Sequence, residues 1–296
     1  MGNPLVSIIT ITLNRADLIH RCIESIQKQT YSNFEHIIVD GNSTDNTEEV
    51  VKSYKDPRIK YIKLKERGPQ LQMRAGADVA TGKYVTFLDD DDEYLPTKIE
   101  KQVTFFESLP ENIGLTYCWM TIYDTQTGKV LRIHKPEFRG DCGDITAAYQ
   151  CISGTPTLMI RREIFEAVGG TFDDSIGLIM SDQELVARIC QITKVDYLPE
   201  SLIKIYENHN HARLTTNFYS EKLKRDILFR KHFLTKFHDV FERQPSLADK
   251  HYFNLCRDYF KLHQYRNGLK YYCLLLKCKP SIRQIIKPLI GVMLNR

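Results

Sequence analysis

"LVSIITITLNRADLIHRCIESIQKQTYSNFEHIIVD", residues 5–40, decides the fold. It opens with a near-continuous β-branched run, the mark of a strand covered on both faces. From Ala16 to Gln29 the rhythm changes, and Leu18, Ile19, Cys22, Ile23 and Ile26 recur at helical spacing. "FEHIIVD" (34–40) then returns to strand character. The alternation continues with a helix over 45–54, whose first acids suit the helix dipole. A strand over 59–64, a helix over 70–80 and a strand over 83–89 follow. Such an order predicts an α/β fold with a mostly parallel central sheet and flanking helices. Ligands bind these sheets beyond the carboxyl ends of the strands, which makes the residues at strand ends the candidates for a site.

Composition sets wide bounds. The 296 residues are 42% hydrophobic and 26% charged, as in ordinary folded proteins. The start lacks the basic segment and apolar run of a secretory signal, and no stretch approaches the roughly 20 apolar residues that cross a bilayer. Eight cysteines are scattered without a CxxC pair, so reduced thiols in a cytoplasmic protein are expected, without a zinc site. The net charge of +4 is uneven: from His251 onward nine Lys/Arg face one acid, Asp258. Local basicity of this kind gives no footprint for nucleic acid.

The fourth strand runs into "LDDDDEYLP" (88–96), with Asp89, Asp90, Asp91, Asp92 and Glu93 side by side. Most charge runs are solvated loops, but this one follows a buried strand end without a spacer. An EF-hand reading fails: Asp89, Asp91, Glu93 and Glu100 fall at ligand positions, yet Tyr94 stands where the turn needs glycine. A hard divalent cation, Mn²⁺ or Mg²⁺, with a diphosphate on its far side would offset the repulsion. Asp40, ending the second strand, should project into the same crevice.

These segments resemble a known family. "VSIITITLNR", "IIVDGNSTDNT", "GADVATGKYVTFLDDDDEYLP", "GTPTLMIRREIFEAVGGTFDD", "MSDQELVARI" and "KIYENH" are similar, in order, to the inverting family 2 glycosyltransferases. The resemblance covers roughly residues 5 to 215. It implies a GT-A fold, Rossmann-like, over residues 1–215, with a helical C-terminal region over 216–296. It also implies a metal-dependent enzyme that moves a sugar from a nucleotide sugar, expected to be UDP-linked, to a glycan or lipid-linked acceptor hydroxyl, as in polysaccharide biosynthesis. Donor-binding residues carried over are Thr12, Asn14, Arg15, Asp40, Arg74, Asp89 and His209, the last within a Tyr206-x-x-His209 element. Ile11 and Leu13 depart from the family's turn, and Gln72-Met73-Arg74 replaces its Ala-Arg-Asn. Asp91 and Asp89 take the metal positions, and Asp182 takes the catalytic base position. On its own, Ser-Asp before an apolar rhythm reads as a helix cap; Glu184 is the fallback base. Alternatives are a non-catalytic sugar-nucleotide-binding protein of the same fold, or a nucleotidyltransferase, which would want glycines in "TLNRADL".

After residue 216 the pattern is helical, and this part is expected to pack on the α/β body. "LCRDYFKLHQYRNGLKYYCLLLKCKP" (255–280) resembles one tetratricopeptide-type hairpin. In "SIRQIIKPLIGVMLNR", Ile282, Ile285, Ile286, Leu289, Ile290 and Met293 share an apolar face flanked by Arg283 and Lys287. That face suits either docking on the body or an anionic membrane surface, placing the protein peripherally at the inner face of the cell membrane.

Overall fold

A computed structural model describes residues 2–148, 152, 154–170, 181–208 and 219–278. The terminal amphipathic segment, His209 and Cys151 lie outside the described residues. The predicted alternation is present as β1 (Val6–Thr12), α1 (Ile19–Gln27), β2 (Phe34–Asp40), α2 (Thr47–Ser53), β3 (Ile59–Lys63), α3 (Pro69–Val79) and β4 (Tyr84–Phe87). A two-residue strand, β5 (Glu93–Tyr94), precedes α4 (Lys98–Glu107), β6 (Ile113–Asp124), β7 (Val130–His134) and α5 (Gly143–Ala148). Then come a 3₁₀ turn at Thr155–Thr157, β8 (Leu158–Arg161), α6 (Arg162–Ala167), α7 (Ser181–Cys190) and β9 (Lys194–Glu207). β8 starts only at Leu158, because Thr155–Thr157, with Pro156, forms the turn before it.

The strands form one sheet in the order β3-β2-β1-β4-β8-β6-β9-β5, with β7 paired to β6. β1, β2, β3 and β4 are mutually parallel. β8 is antiparallel to both β4 and β6, and β9 is parallel to β6, so β6 and β9 run the same way as β1. Six of the nine strands thus share a direction, as the sequence pattern predicts. Their carboxyl ends, at Thr12, Asp40, Lys63, Phe87, Asp124 and Glu207, lie along one edge. Because β8 runs the other way, its first residue comes to that same edge.

Strand periodicity divides the core. Ile9, Val39, Val85 and Phe87 pack with Met73, Phe165, Leu185 and Ile189 on one face of the sheet. Ile8, Tyr84 and Leu88 pack with Cys22, Ile26, Ile99 and Phe106 on the other. The β-branched runs are buried on both sides for this reason. Gly82 has no room for a side chain: a Cβ there would sit 2.6 Å from the Ser7 backbone nitrogen. All seven described cysteines are free thiols.

The C-terminal helices are α8 (Tyr219–Lys236), α9 (His238–Arg243), α10 (Asp249–Lys261) and α11 (Tyr265–Lys277). Phe229, Phe233, Phe237 and Phe241 form a cluster with Ala147 of α5 and Ala187 of α7, so this part packs on the α/β body. Lys236 adds an ion pair to Glu184 of α7 at 2.7 Å. Among the described residues no helix is long and apolar enough to cross a membrane.

Two imidazoles are sealed in this core. His36 bonds the Thr10 hydroxyl at 3.0 Å, and burial lowers its pKa to about 3. His251 bonds the Ala147 carbonyl at 3.0 Å, and burial lowers its pKa to about 4. Both stay neutral when folded, whereas the unfolded chain takes up protons near 6.5. Stability is therefore lost as pH falls below that value. Between about pH 7 and about pH 5.5 the unfolding free energy should drop by about 2 kcal/mol from these two groups together. Urea denaturation at both pH values checks this, and an unchanged midpoint would mean that the rings are charged and solvated in the fold.

Candidate functional site

The acidic run crosses the sheet edge between β4 and β5. Tyr94, standing where an EF-hand loop would need glycine, clamps the turn: its hydroxyl bonds the Phe87 carbonyl and lies 2.9 Å from the Thr86 hydroxyl. β5 is held in turn by antiparallel pairing of Glu93 with Lys204 and Tyr94 with Ile203. The loop is thus fixed at both ends, and its carboxylates converge. One oxygen each from Asp89, Asp91 and Asp92 lies within 4.8 Å of the others. Three hard oxygen donors at that spacing fit Mg²⁺ or Mn²⁺. Asp92 joins the two aspartates named from the sequence.

Cations from three segments surround the run. Arg15, in the loop after β1, places Nη1 3.0 Å from Asp91 Oδ2 and 3.6 Å from Asp90 Oδ1. Arg21 of α1 donates to the Asp91 carbonyl at 3.0 Å and approaches Glu93 at 3.6 Å. Lys204 of β9 pairs with Glu93 at 3.1 Å. Burial raises Asp90 to about 7 even though Arg15 pulls it down, so part of the run's charge is neutralised by proton uptake. Tyr206 completes the wall. Its N–H donates to Asp92 Oδ1 and its hydroxyl to Glu93 Oε1, both at 2.9 Å, and the Arg21 guanidinium lies 4.0 Å over its ring.

The ends of β1 and β2 lie in register, Thr12 opposite Asp40. Asp40 is fully buried; Oδ1 accepts the Ser43 N–H at 2.7 Å and Oδ2 the Tyr61 hydroxyl at 2.5 Å. Burial and that carboxylate hold the Tyr61 phenol well above its ordinary pKa, so it remains a donor. Asn14 adopts φ 52°, its N–H donating to the Ser43 hydroxyl and its Oδ1 accepting the Thr44 N–H, both at 2.8 Å. Gln72 of α3 donates Nε2 to the Thr12 and Val39 carbonyls at 2.8 and 2.9 Å. It ties the helix to both strand ends, a role that composition and motif do not reveal. The buried Thr12 hydroxyl faces the Asp90 carboxyl, which it helps to hold in its charged form. Arg74 is exposed on α3, over an open depression of about 320 Å³ also lined by Leu64, Leu71 and Asp78. This depression adjoins β3, at the far end of the strand order from the acidic run.

Asp182 lies in the first turn of α7. Its carboxylate accepts the Gln183 N–H at 2.8 Å and, through Oδ2, the Gly154 N–H at 3.2 Å. The first contact is to the next residue of the same helix and is not the amide two or three residues on that an N-cap bonds; the second reaches out of the helix. Gly154 leads through the 3₁₀ turn into β8, whose Leu158 carbonyl accepts from Thr86 of β4 at 2.6 Å. Asp182 and the acidic run therefore stand at the same sheet edge. Glu184 is fully buried, with Arg188 Nε 2.7 Å and Nη2 2.9 Å from its oxygens and Lys236 at 2.7 Å. That arrangement ties α7 to α8 and takes up both oxygens of Glu184.

The family model for glycosyl transferase family 2 matches residues 7–169, which include β1 to β4 and the acidic run. An uncharacterized glycosyltransferase of Rickettsia prowazekii is 31% identical over 220 residues, 73% of this chain and 67% of that protein. WfaP of Escherichia coli, a UDP-Glc:alpha-D-GlcNAc-diphosphoundecaprenol beta-1,3-glucosyltransferase, is 41% identical over 114 residues, 38% of this chain and 45% of its own. Among solved structures, the mannosyltransferase PcManGT of Pyrobaculum calidifontis, in complex with GDP-Man and Mn²⁺, aligns with a TM-score of 0.61 at 17% identity, covering 99% of this chain and 81% of that one. Its fold is therefore shared. The chain belongs to glycosyl transferase family 2 and is a glycosyltransferase of GT-A architecture.

Proposed function

We propose that this enzyme transfers a sugar, with inversion, from a UDP-sugar to a hydroxyl of a lipid-linked glycan, in a metal-dependent reaction. The observation that carries the reading is the meeting of Asp89, Asp91 and Asp92 within 4.8 Å of one another, at the sheet edge that Asp182 also reaches. The UDP donor and the diphospholipid acceptor are supported by the printed activity of WfaP, and the metal by the Mn²⁺ bound in PcManGT. In this reading residues 1–215 form the catalytic unit, and the helices after 216 brace it through α5 and α7.

Asp91, Asp89 and Asp92 would hold the divalent ion, which stabilises charge on a leaving diphosphate. Thr12, Asn14 and Asp40 line the nucleoside end. Arg15 stands between the two regions, where its guanidinium can turn from Asp91 to a phosphate oxygen. Asp182 takes the acceptor proton: two backbone N–H groups fix its orientation, and each carboxylate oxygen keeps a lone pair for the incoming hydroxyl.

Asp182→Asn keeps one acceptor oxygen for a backbone N–H and sets its amide nitrogen, a donor, against the other, so the variant's melting temperature is read first; the folded variant should bind UDP. Its turnover should fall roughly 10²–10⁴-fold; single-turnover assays with a UDP-sugar panel measure this, and near-normal turnover would return Asp182 to a structural role. Asp91→Ala should abolish turnover and remove the Mn²⁺ dependence of UDP binding in calorimetry. Wild-type UDP affinity that is the same with Mn²⁺ and with chelator would overturn the metal assignment. Arg15 shares Asp91 with any bound cation, so Arg15→Gln should tighten nucleotide-free Mn²⁺ binding about fivefold, as expected for loss of a competing ion pair near 1 kcal/mol. A titration followed by electron paramagnetic resonance reads that constant, and weaker binding would show that Arg15 supports the site instead of competing for it.

A further inference from the structure

We infer that Lys98 and Gln102, one turn apart on the inner face of α4, are positioning residues that hold the acidic loop and the catalytic base in one frame. The inference rests on the roles proposed for Asp91 and Asp182; the contacts themselves do not. A helix laid against a sheet ordinarily turns aliphatic side chains inward. α4 buries Ile99, Val103 and Phe106, yet Lys98 and Gln102 lie among them and are fully buried. Neither suits a core built for stability. No carboxylate pairs with Lys98 among the described residues, and burial lowers its pKa to about 7, so its charged form is disfavoured in the fold. Gln102 Oε1 has no hydrogen-bond partner among the described residues, and a buried oxygen left unpaired costs free energy.

Each side chain reaches one half of the site. Lys98 Nζ donates to the Thr86 hydroxyl at 2.7 Å and lies 4.0 Å over the Tyr94 ring. Thr86 donates in turn to the Leu158 carbonyl at 2.6 Å, and Tyr94 to the Phe87 carbonyl. Phe87 ends β4 just before the acidic run, and Tyr94 follows it. Lys98 thus supports both ends of the run and the first residue of β8. Gln102 takes the other half. Its Nε2 donates to the Thr157 carbonyl at 3.0 Å and to the Thr116 carbonyl at 3.3 Å. Thr157 gives its N–H and its hydroxyl to the Gly154 carbonyl, at 2.9 and 2.8 Å. The Gly154 N–H then holds Asp182 at 3.2 Å.

Inversion needs the base and the leaving diphosphate on opposite sides of the reacting carbon. A misplacement of about 1 Å between such groups costs up to about 10²-fold in rate. Asp91 and Asp182 lie on separate segments, so no short stretch of backbone fixes their separation. One turn of α4 touches the supports of both.

Lys98→Met keeps the length of the side chain and removes the donor. Its melting temperature should match or exceed that of wild type, whereas kcat should fall roughly 10- to 100-fold. Donor KM at saturating Mn²⁺ should stay within about twofold, because the ends of β1 and β2 are untouched. Nucleotide-free Mn²⁺ binding, read by electron paramagnetic resonance, should weaken about tenfold, as when a support behind a metal ligand is lost. Gln102→Leu should lower kcat alike and leave Mn²⁺ binding unchanged, since its contacts lead only to the base. In Lys98→Met combined with Thr86→Val, kcat should fall no further than in the worse single variant. A folded Lys98→Met with kcat near wild type overturns the inference, and with a lowered melting temperature it marks a merely structural lysine. Losses that multiply in the double variant overturn it too, because Lys98 would not act through Thr86. Should Lys98→Met fail to fold, Gln102→Leu decides, and an unchanged kcat refutes the frame. Asp182→Asn separates the two failures. Near-normal turnover there refutes the base assignment, and the role of Gln102 with it, while Mn²⁺ binding still decides Lys98. An inactive Asp182→Asn beside active Lys98→Met and Gln102→Leu refutes the frame alone.

Discussion

Five consecutive acidic residues at the end of β4 impose the constraint on which the rest of this molecule depends. Like charges at that spacing repel, and the repulsion is met from four directions. Arg15 comes from the loop after β1, Arg21 from α1 and Lys204 from β9, while burial raises Asp90 to about 7. None of these contributions is local in sequence. The loop is tolerable only after β1, α1 and β9 have assembled around it, so the site and the fold stabilise one another. Three protein cations stand against five acids here, and a bound divalent ion would join that network.

Strand direction then decides what the loop can meet. Six strands deliver their carboxyl ends to one edge, which puts Thr12, Asp40 and the acidic run in a row. The reversed strand β8 does something that a fully parallel sheet would not. Its amino end returns to the same edge, and with it comes Gly154, whose N–H holds Asp182. The residue that begins α7 and the residues that end β4, about ninety positions apart in the chain, become neighbours along one rim. The β6–β7 hairpin rises from that rim for the same reason, since β6 also ends there.

Much of this was legible in the residues. β-branched runs at 5–12 and 34–40 marked strands buried on both faces, because only such side chains pack against helices above and below. Asp40 and the acidic run stood out by following those runs without a spacer. Other parts carried no such signal. β9 spans Lys194–Glu207, yet Pro199 and Glu200 interrupt its pattern; pairing with β6, through register shifts near Trp119, imposes the strand. Gln72 reads as an ordinary polar helix residue until its amide is seen between two strand carbonyls. Tyr94 looks like a departure from a calcium loop, but its hydroxyl is the clamp that closes the acidic turn.

What the sequence by itself determined is local: periodicity chose helix or strand, and the ordered motifs chose the family. Both depend on residues within one or two turns of each other, or on spacing along the chain. The tertiary structure decided which charges neutralise which, that Asp92 joins Asp89 and Asp91, and that Glu184 is spent on Arg188 and Lys236 while Asp182 reaches Gly154. Those outcomes depend on distances between segments far apart in the chain. Such distances are set by strand direction, register and helix packing, which no short stretch of sequence encodes.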